Sequence, residues 1–344
     1  MVSIAAGIAG AGCRNHLRQV SFQEALRAKD VARVRAMVEE DPSLVHATFT
    51  GRHSGVASTA LTLAVQTGDL ELVRFFIERG APVNLATLTK DSALHKAVVN
   101  KNLEMTKLLL SRGADVQARG DVGRTPIFGA DGAEQAELLV AAGAVADVYD
   151  DEGDTPLHFK AEYGHIEDLA FLCAHGGKVT STNKAGRTPH QSAVRQFDEM
   201  KGQAVPPGIL AEQQAVADYL APGGPCARLA AWRAKEGRVP KDAWTLELHR
   251  AECDHGLARG CAHLAEQYEE GRGVAADPVV ALGLYEKSCA DGHAWGCARL
   301  GVMLTKGRGV ARDEARAATL FDQGCRGRVQ WACARLAALA AARR

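Results

Sequence analysis

The sequence predicts an all-α protein built as a helical solenoid, in which short helices stack repeat upon repeat. Two periods support this prediction: one of about 33 residues is followed by one of 36 residues, and they occupy successive parts of the 344-residue chain. Inside each period, apolar residues recur at the spacing of an amphipathic helix. Only 5% of the residues are aromatic although 47% are hydrophobic, which favours packed alanine and leucine helices over a large aromatic-lined pocket.

The carboxyl-terminal period is marked by cysteines. Three pairs with the same internal spacing recur every 36 residues: Cys253 with Cys261, Cys289 with Cys297, and Cys325 with Cys333. The glycine turn Gly271–Val274 returns at the same offset as Gly307–Val310. Each unit fits two short antiparallel helices, and a cysteine pair at the same two places in every unit suggests one disulfide per unit.

These repeats resemble the Sel1-like repeat family, specifically its cysteine-rich bacterial branch, typified by the Helicobacter cysteine-rich proteins. The resemblance covers residues 222–340, because Cys226 opens the same Cys-Ala-Arg-Leu segment as Cys297. It implies a disulfide in each complete repeat and a location outside the cytoplasm, where disulfides persist. Cys226 has no partner by this motif, since Asp218 stands eight residues before it.

The earlier period resembles the ankyrin repeat. Five similar segments open successive units, spaced 33, 33, 30 and 33 residues apart: they begin at Thr59, Ser92, Thr125, Thr155 and Thr188. A Ser or Thr there caps the first helix, and a following proline stands where no amide hydrogen is needed. The fourth unit is three residues short near Asp131–Ala133, and the sixth is interrupted at Met200–Gly208, where we expect an irregular loop.

The predicted domains follow from these two resemblances. Residues 17–221 are predicted to form an ankyrin repeat domain of about six units, with a degenerate first and last unit. Residues 222–340 are predicted to form a Sel1-like domain of three disulfide-type units and a partial first unit. Residues 1–16 are predicted to be either a truncated lipoprotein signal or a disordered terminus.

The amino terminus leaves two interpretations open. Its small, apolar stretch ends in Ala-Gly before Cys13, which resembles the tail of a bacterial lipoprotein signal with Cys13 as the lipidated residue. The opposing interpretation is a frayed terminus, because no positively charged segment precedes this stretch and it is short for a signal peptide. The sequence contains no 18-residue apolar span, so we predict no transmembrane segment.

A search for catalytic chemistry predicts no catalytic residue, no cofactor and no metal site. Ser181 and Lys184 fit the serine-to-lysine spacing of penicillin-recognising enzymes, but no Ser-Asp-Asn or Lys-Thr-Gly segment accompanies them, and we interpret the spacing as chance. His255 and His263 each stand two residues after a cysteine of the first pair and would complete a metal site. The later repeats keep the cysteines without these histidines, so disulfides are the preferred interpretation.

Three other side chains are given structural roles. His95 and His158 occupy the ankyrin position whose imidazole usually bridges neighbouring units. Cys173 lies among apolar helical residues and is predicted to be a buried thiol. A bridge from Cys173 to Cys226 is the less favoured alternative.

Stacked repeats present a concave face and protruding loops, which suit binding of a protein or peptide partner. By the ankyrin pattern, the loop tips, here called fingers, supply the contacts: Leu88, Thr89, Lys90, Arg119, Asp121, Asp150, Asp151, Asn183 and Lys184. Residues 1–220 hold 22 Lys/Arg against 27 Asp/Glu, a net charge of −5, and residues 221–344 hold 19 against 14, a net charge of +5. Neither value suggests binding to nucleic acid.

The leading hypothesis is a non-enzymatic interaction scaffold of the bacterial cell envelope, periplasmic or held at the outer membrane as a lipoprotein. One alternative is a weak beta-lactamase or penicillin-binding activity, which rests only on the resemblance to cysteine-rich Sel1-like proteins. Another is a secreted effector that binds host proteins. A reducing host cytosol would threaten the disulfides, so we favour an oxidising compartment.

Overall fold

The computed structural model describes residues 18–50, 57–87, 90–163 and 165–342. The chain forms two compact units, Met1–Asp154 and Thr155–Arg344. The predicted fold class is confirmed, because helices arranged as successive repeats make up both units and the described strands are limited to one small hairpin. None of the described helices is both long and apolar enough to cross a membrane.

The first unit consists of short helices joined by turns. Its α-helices are α1 (18–27), α2 (Val31–Glu40), α3 (Ala60–Thr67), α4 (Leu70–Glu78), α5 (Ala93–Val99), α6 (Leu103–Ser111) and α7 (Ala133–Ala141). Its 3-10 helices are Pro42–His46, Asp121–Gly123 and Pro126–Gly129. Strand β1 (Thr48–Thr50) pairs antiparallel with β2 (Ala57–Thr59), a hairpin that the all-helical prediction did not include.

The predicted helix openings explain where these helices begin. Thr59 caps α3 and Ser92 caps α5: each side chain accepts a hydrogen bond from the amide three residues later, and a side chain in that first turn bonds back. At the third such opening, Thr125 precedes only the 3-10 helix Pro126–Gly129. The three missing residues therefore shorten the first helix of the fourth unit, and α7 starts directly after Gly132.

The core of the first unit is a continuous apolar layer between its helices. Phe22 of the degenerate first unit is fully buried and packs at tilted angles against Phe49 and Phe76, with ring centroids 6.1 and 6.2 Å apart. Leu94 and Met105 continue this layer into the next repeat and are also fully buried. Burying such side chains is the main driving force that holds stacked repeats together.

The second unit contains only helices in its described part. They are α8 (Pro156–Tyr163), α9 (Ile166–Ala174), α10 (Pro189–Lys201), α11 (Pro207–Leu220), α12 (Pro225–Glu236), α13 (Lys241–Asp254), α14 (Ala258–Glu270), α15 (Pro278–Ala290), α16 (Ala294–Lys306), α17 (Glu314–Arg326) and α18 (Gln330–Ala342). Helices α13 to α18 form three antiparallel pairs that match the 36-residue period. The predicted irregular loop is shorter than expected, because α10 runs to Lys201 and α11 begins at Pro207.

Helices of both predicted repeat types pack together in the second unit. Ankyrin-type α9 contacts α12, which belongs to the partial Sel1-like repeat. Further along, Tyr285, Met303 and Phe321 form one buried apolar cluster across three Sel1-type helices. Gly301 allows this packing, since a Cβ there would lie 3.0 Å from the Phe321 ring. The boundary between residues 221 and 222 stays a prediction based on repeat type.

Candidate functional site

The predicted ankyrin fingers are tight turns of five residues. In each, the amide of the first residue donates to the carbonyl of the fifth, and the N–O distances are 2.7–3.0 Å: Thr87 to Asp91, Gly120 to Arg124 and Asp150 to Asp154 in the first unit, and Asn183 to Arg187 in the second. This closure fixes the ends of the fingers, and among the described central residues Asp121, Val122, Asp151 and Lys184 are exposed to solvent.

Asp150 supports its finger from the inside. Its side chain is 0% exposed: one carboxylate oxygen accepts hydrogen bonds from the amides of Glu152 and Asp154, both at 2.9 Å, and the other accepts one from Arg124 Nε at 3.0 Å. Its carboxylate therefore supports the turn, and the proposed contact between Asp150 and a partner stays a prediction. An aspartate side chain that bonds the backbone two residues on favours this kind of turn, so the sequence position of Asp150 also indicates a role in the turn.

Asn183 holds the finger of the second unit in the same way. Its side-chain oxygen accepts hydrogen bonds from the amides of Ala185 and Arg187 at 3.1 and 3.0 Å. Its neighbour Lys184 is exposed, as is Lys90 in the first unit. Leu88 and Thr89 lie outside the described residues, as does the proposed lipidation residue Cys13.

Two histidines connect adjacent repeats beneath the fingers. His95 Nε2 lies 3.0 Å from the carbonyl oxygen of Arg124, and His158 Nε2 lies 2.9 Å from that of Arg187. On each ring Nδ1 faces the amide of the capping residue, so a neutral imidazole with its proton on Nε2 satisfies every contact. Burial lowers the pKa of His95, which favours this neutral form. Both side chains therefore have the structural role that the sequence predicted.

An exposed patch remains at the fingers of the first unit, and we call Arg119, Asp121, Val122, Tyr149 and Asp151 the finger surface. Arg119 fixes the patch, because its guanidinium donates to the Tyr149 carbonyl at 2.8 Å and to the Asp151 carboxylate at 2.9 Å. The Val122 carbonyl accepts a hydrogen bond from the Asp151 amide at 2.8 Å. Three predicted contact residues, Arg119, Asp121 and Asp151, are thus brought together.

Two members of the finger surface were not predicted from the sequence. Tyr149 is 44% exposed and Val122 is 36% exposed, so the charged groups surround apolar surface. The sequence does offer an indication of Tyr149, because this aromatic residue directly precedes the finger that begins at Asp150. Val122 adopts a φ of 51°, a conformation that strongly disfavours a β-branched residue and that nothing in the sequence indicates.

The disulfides lie in the second unit. Cys253–Cys261, Cys289–Cys297 and Cys325–Cys333 each join the two helices of one hairpin, with Cα atoms 4.4, 4.5 and 4.8 Å apart. The His255 side chain contacts Asp218: its Nε2 lies 2.7 Å from Asp218 Oδ2. Three of the four side chains considered for a metal site, Cys253, Cys261 and His255, thus make other contacts.

A fourth disulfide joins Cys173 to Cys226, with Cα atoms 5.2 Å apart. The preferred interpretation of Cys173 as a free buried thiol is therefore wrong, and the alternative bridge is present. Both residues are fully buried, because α9 packs against α12. Ser181 and Lys184, the pair with penicillin-enzyme spacing, lie in the segment between α9 and α10 rather than at a helix start.

The geometry defines a helical repeat protein with exposed, internally braced loops. A family model of ankyrin repeats in three copies matches residues 25–120, and a Sel1 repeat model matches residues 258–293 and 296–327. The chain therefore carries ankyrin repeats in its amino-terminal part and Sel1 repeats in its carboxyl-terminal part, and it belongs to the same family as protein PhlB.

Three similar curated proteins each match a part of this chain. Protein PhlB of Serratia liquefaciens is 33% identical over 177 residues, which are 48% of this chain and 77% of that protein. Human protein phosphatase 1 regulatory subunit 27 is 43% identical over 97 residues, 27% of this chain and 62% of the relative. Human SH3 and multiple ankyrin repeat domains protein 2 is 31% identical over 136 residues, 38% of this chain and 7% of the relative. The chain thus spans less than two thirds of the length of either human relative.

Proposed function

We propose that this protein is a non-enzymatic scaffold that binds a protein or peptide partner through its ankyrin fingers, and that it works outside the cytoplasm in the bacterial cell envelope. The observation that carries the proposal is the finger surface. Buried Asp150 and the Arg119 contacts brace it, while Tyr149 and Val122 expose apolar area at its centre. Rigid aromatic residues within a charged rim are characteristic of the parts of interfaces that contribute most affinity.

Charge on the finger surface indicates which partner it suits. Arg119 is paired with Asp151 at 2.9 Å, whereas the exposed Asp121 carboxylate has no side-chain partner within the described residues. A partner segment with an apolar side chain beside a lysine or arginine would cover Tyr149 and Val122 and neutralise Asp121. The name of one relative, a phosphatase regulatory subunit, also describes a protein that acts on another protein.

The disulfides support the proposed location. The described residues form four of them, and structural disulfides persist in oxidising compartments such as the periplasm. Each short-loop bond contributes on the order of 2 to 3 kcal/mol, a large part of the stability of one helical hairpin. A lipid at Cys13, attached to an envelope membrane, belongs to this proposal.

The interaction proposal is tested by capture from envelope and periplasmic fractions with three purified proteins. The wild type is compared with a double variant, Asp121→Ala with Tyr149→Ala, and with a matched control on α6, Glu104→Ala with Lys107→Ala, which removes an exposed ion pair. A specific partner should be captured by the wild type and the control and lost with the finger variant. Capture that is equal for all three proteins would refute the role of the finger surface.

The location is tested separately. Labelled palmitate should enter the full-length gene product and should be absent from the Cys13→Ser variant. Mass mapping of a non-reduced digest of protein isolated from its native cells should give the four cysteine pairs described above. Free thiols at these eight positions in freshly alkylated cells would contradict an extracytoplasmic location.

A further inference from the structure

Helix α18 is apolar on almost every side, although much of its surface is exposed. Gln330 and Arg335 are its only polar residues, and its inner side packs against the apolar cluster of the Sel1-type helices through Leu336 and Leu339. Four exposed alanines share the opposite side, which we call the alanine face: Ala334, Ala337, Ala338 and Ala341. A helix that is hydrophobic all round is normally buried, so this face is suited to contact with another apolar surface.

The corresponding face of the preceding repeat binds a helix. A shift of 36 residues aligns Ala334 with Ala298 of α16, and Ala337 with Gly301. Ala298 is 0% exposed, because α17 lies so close to it that a Cβ on Gly324 would be 2.8 Å from the Ala298 Cβ. Gly301 is buried as well. Small residues at these two positions therefore allow a neighbouring helix to approach closely, and α18 keeps them small where the structure leaves them exposed.

A second copy of the chain can cover the alanine face with its own alanine face. By the repeat pattern the occupant would be the first helix of another Sel1-type repeat, but each such helix in a second copy is already packed: α13 against α9, α11 and α12, α15 against α14, and α17 against α16. The alanine face of the second copy, by contrast, is exposed. Contact of one patch with the same patch of another copy is the isologous contact of a twofold dimer.

Trp331 makes this surface complementary to itself. It precedes Ala334 by one helical turn and is 38% exposed, and its ring stands edge-on to Phe321 with the centroids 6.5 Å apart. In an antiparallel pair of helices centred near Leu336, Trp331 of each copy lies beside Ala341 of the other copy. A large side chain thus meets a small one at both ends of the contact, and the alanines between them allow a short distance between the helix axes.

We propose that two copies of this protein associate through their alanine faces as a weak antiparallel dimer. Helix α18 has 13 residues and is therefore about 20 Å long, so the contact is smaller than the roughly 800 Å² per partner of a standard interface. We expect a Kd of about 10 to 100 μM. Arg335, the one charged residue of α18, repels its copy across the twofold axis, so added salt should strengthen the dimer. The finger surface takes no part in this association.

The test is sedimentation equilibrium of the oxidised full-length protein at about 1 to 300 μM. The average mass of the wild type should rise from that of a monomer towards twice that value. The double variant Ala334→Lys with Ala338→Lys places like charges on both faces and should weaken association by about tenfold or more. Ala231→Lys with Ala234→Lys is the matched control, because these alanines are exposed on α12 and the charge added is the same. The control should associate as the wild type does.

A variant of opposite charge tests the twofold pairing itself. An equimolar mixture of the double-lysine variant with Ala334→Glu plus Ala338→Glu should associate more tightly than the double-lysine variant alone, because opposite charges then meet across the axis. The proposal is overturned if the wild type stays monomeric up to about 300 μM, if the double-lysine variant associates as the wild type does, or if the mixture gives no gain. A monomer that instead binds anionic phospholipid vesicles, and loses this binding in the double-glutamate variant, would overturn it in favour of a membrane surface.

Discussion

Cys173 and Cys226 are joined by a disulfide that spans 53 residues of sequence, and their Cα atoms lie 5.2 Å apart. Cys173 belongs to α9, in the repeat that opens at Thr155, and Cys226 belongs to α12, in the partial Sel1-like repeat. The bond therefore fastens a helix of one repeat type to a helix of the other inside the second unit. The three remaining disulfides each act within a single hairpin.

We expect this long-range bond to contribute more stability than a hairpin bond. In the chain-entropy description, closing a loop of this length stabilises the folded state by about 4 kcal/mol, against about 2.5 kcal/mol for a loop closed by residues eight apart. The double variant Cys173→Ala with Cys226→Ala should lose more than Cys289→Ala with Cys297→Ala. Urea unfolding of the oxidised proteins measures the difference. Equal losses would show that native-state strain, not loop length, decides the contribution.

The hairpin disulfides could be predicted from the sequence, whereas the long-range disulfide could not be. Hairpin cysteines repeat at a fixed spacing, so periodicity alone pairs Cys289 with Cys297. The bond between Cys173 and Cys226 has no periodic counterpart, because it depends on the packing of α9 against α12, a contact between helices distant in sequence. Long-range packing of this kind has no local sequence pattern.

Only part of the finger surface could be predicted from the sequence, because the repeat pattern gives the turn positions but not their hydrogen bonds. The ankyrin pattern places Arg119, Asp121 and Asp151 at the fingers, because turn positions recur with the repeat. It does not distinguish the inward Asp150 from the outward Asp151, since that choice depends on hydrogen bonds to Arg124 and to backbone amides. Nor does it reveal the positive φ of Val122, whose carbonyl accepts a hydrogen bond from Asp151 of the neighbouring finger.

Removal of the hydroxyl from a buried tyrosine of the second unit should lower stability at Tyr285 but not at Tyr219. The Tyr285 hydroxyl donates to Glu269 at 3.1 Å and accepts from Arg299 at 3.2 Å, so Tyr285→Phe should cost about 1 to 2 kcal/mol. The Tyr219 hydroxyl has no hydrogen-bond partner among the described residues, and Tyr219→Phe should leave stability unchanged or raise it. Denaturant unfolding of the two variants and the wild type compares them. A large loss for Tyr219→Phe would mean that ordered water bonds this hydroxyl.

Acid should destabilise the second unit through His249. Burial lowers the pKa of His249 from 6.5 to about 4; a hydrogen bond with Gln267 opposes this shift, while the nearby charges of His263, Arg272 and Arg259 reinforce it. The unfolded chain then binds a proton more readily than the folded chain does. Stability is greatest above pH 6.5 and is lost as the pH falls towards 4.

The measurement is urea unfolding of the wild type and His249→Gln at pH 7 and pH 5. Linkage gives a loss on the order of 2 kcal/mol for this histidine over that interval, so the variant should lose correspondingly less. His263, which stacks on His249 with ring centroids 5.1 Å apart and whose pKa burial also lowers, should leave some pH dependence in the variant. Parallel pH profiles for the two proteins would show that His249 does not contribute.

Replacement of Val122 should raise the stability of the first unit and weaken binding of the partner. A valine at φ 51° is strained by about 1 kcal/mol or more, whereas asparagine adopts this conformation more readily. Val122→Asn should therefore stabilise the first unit by about 0.5 to 1 kcal/mol, measured by urea unfolding. The same change removes exposed apolar area from the finger surface, so affinity for the captured partner should fall several-fold. A variant that is both more stable and equally tight in binding would show that the strained valine contributes nothing to recognition.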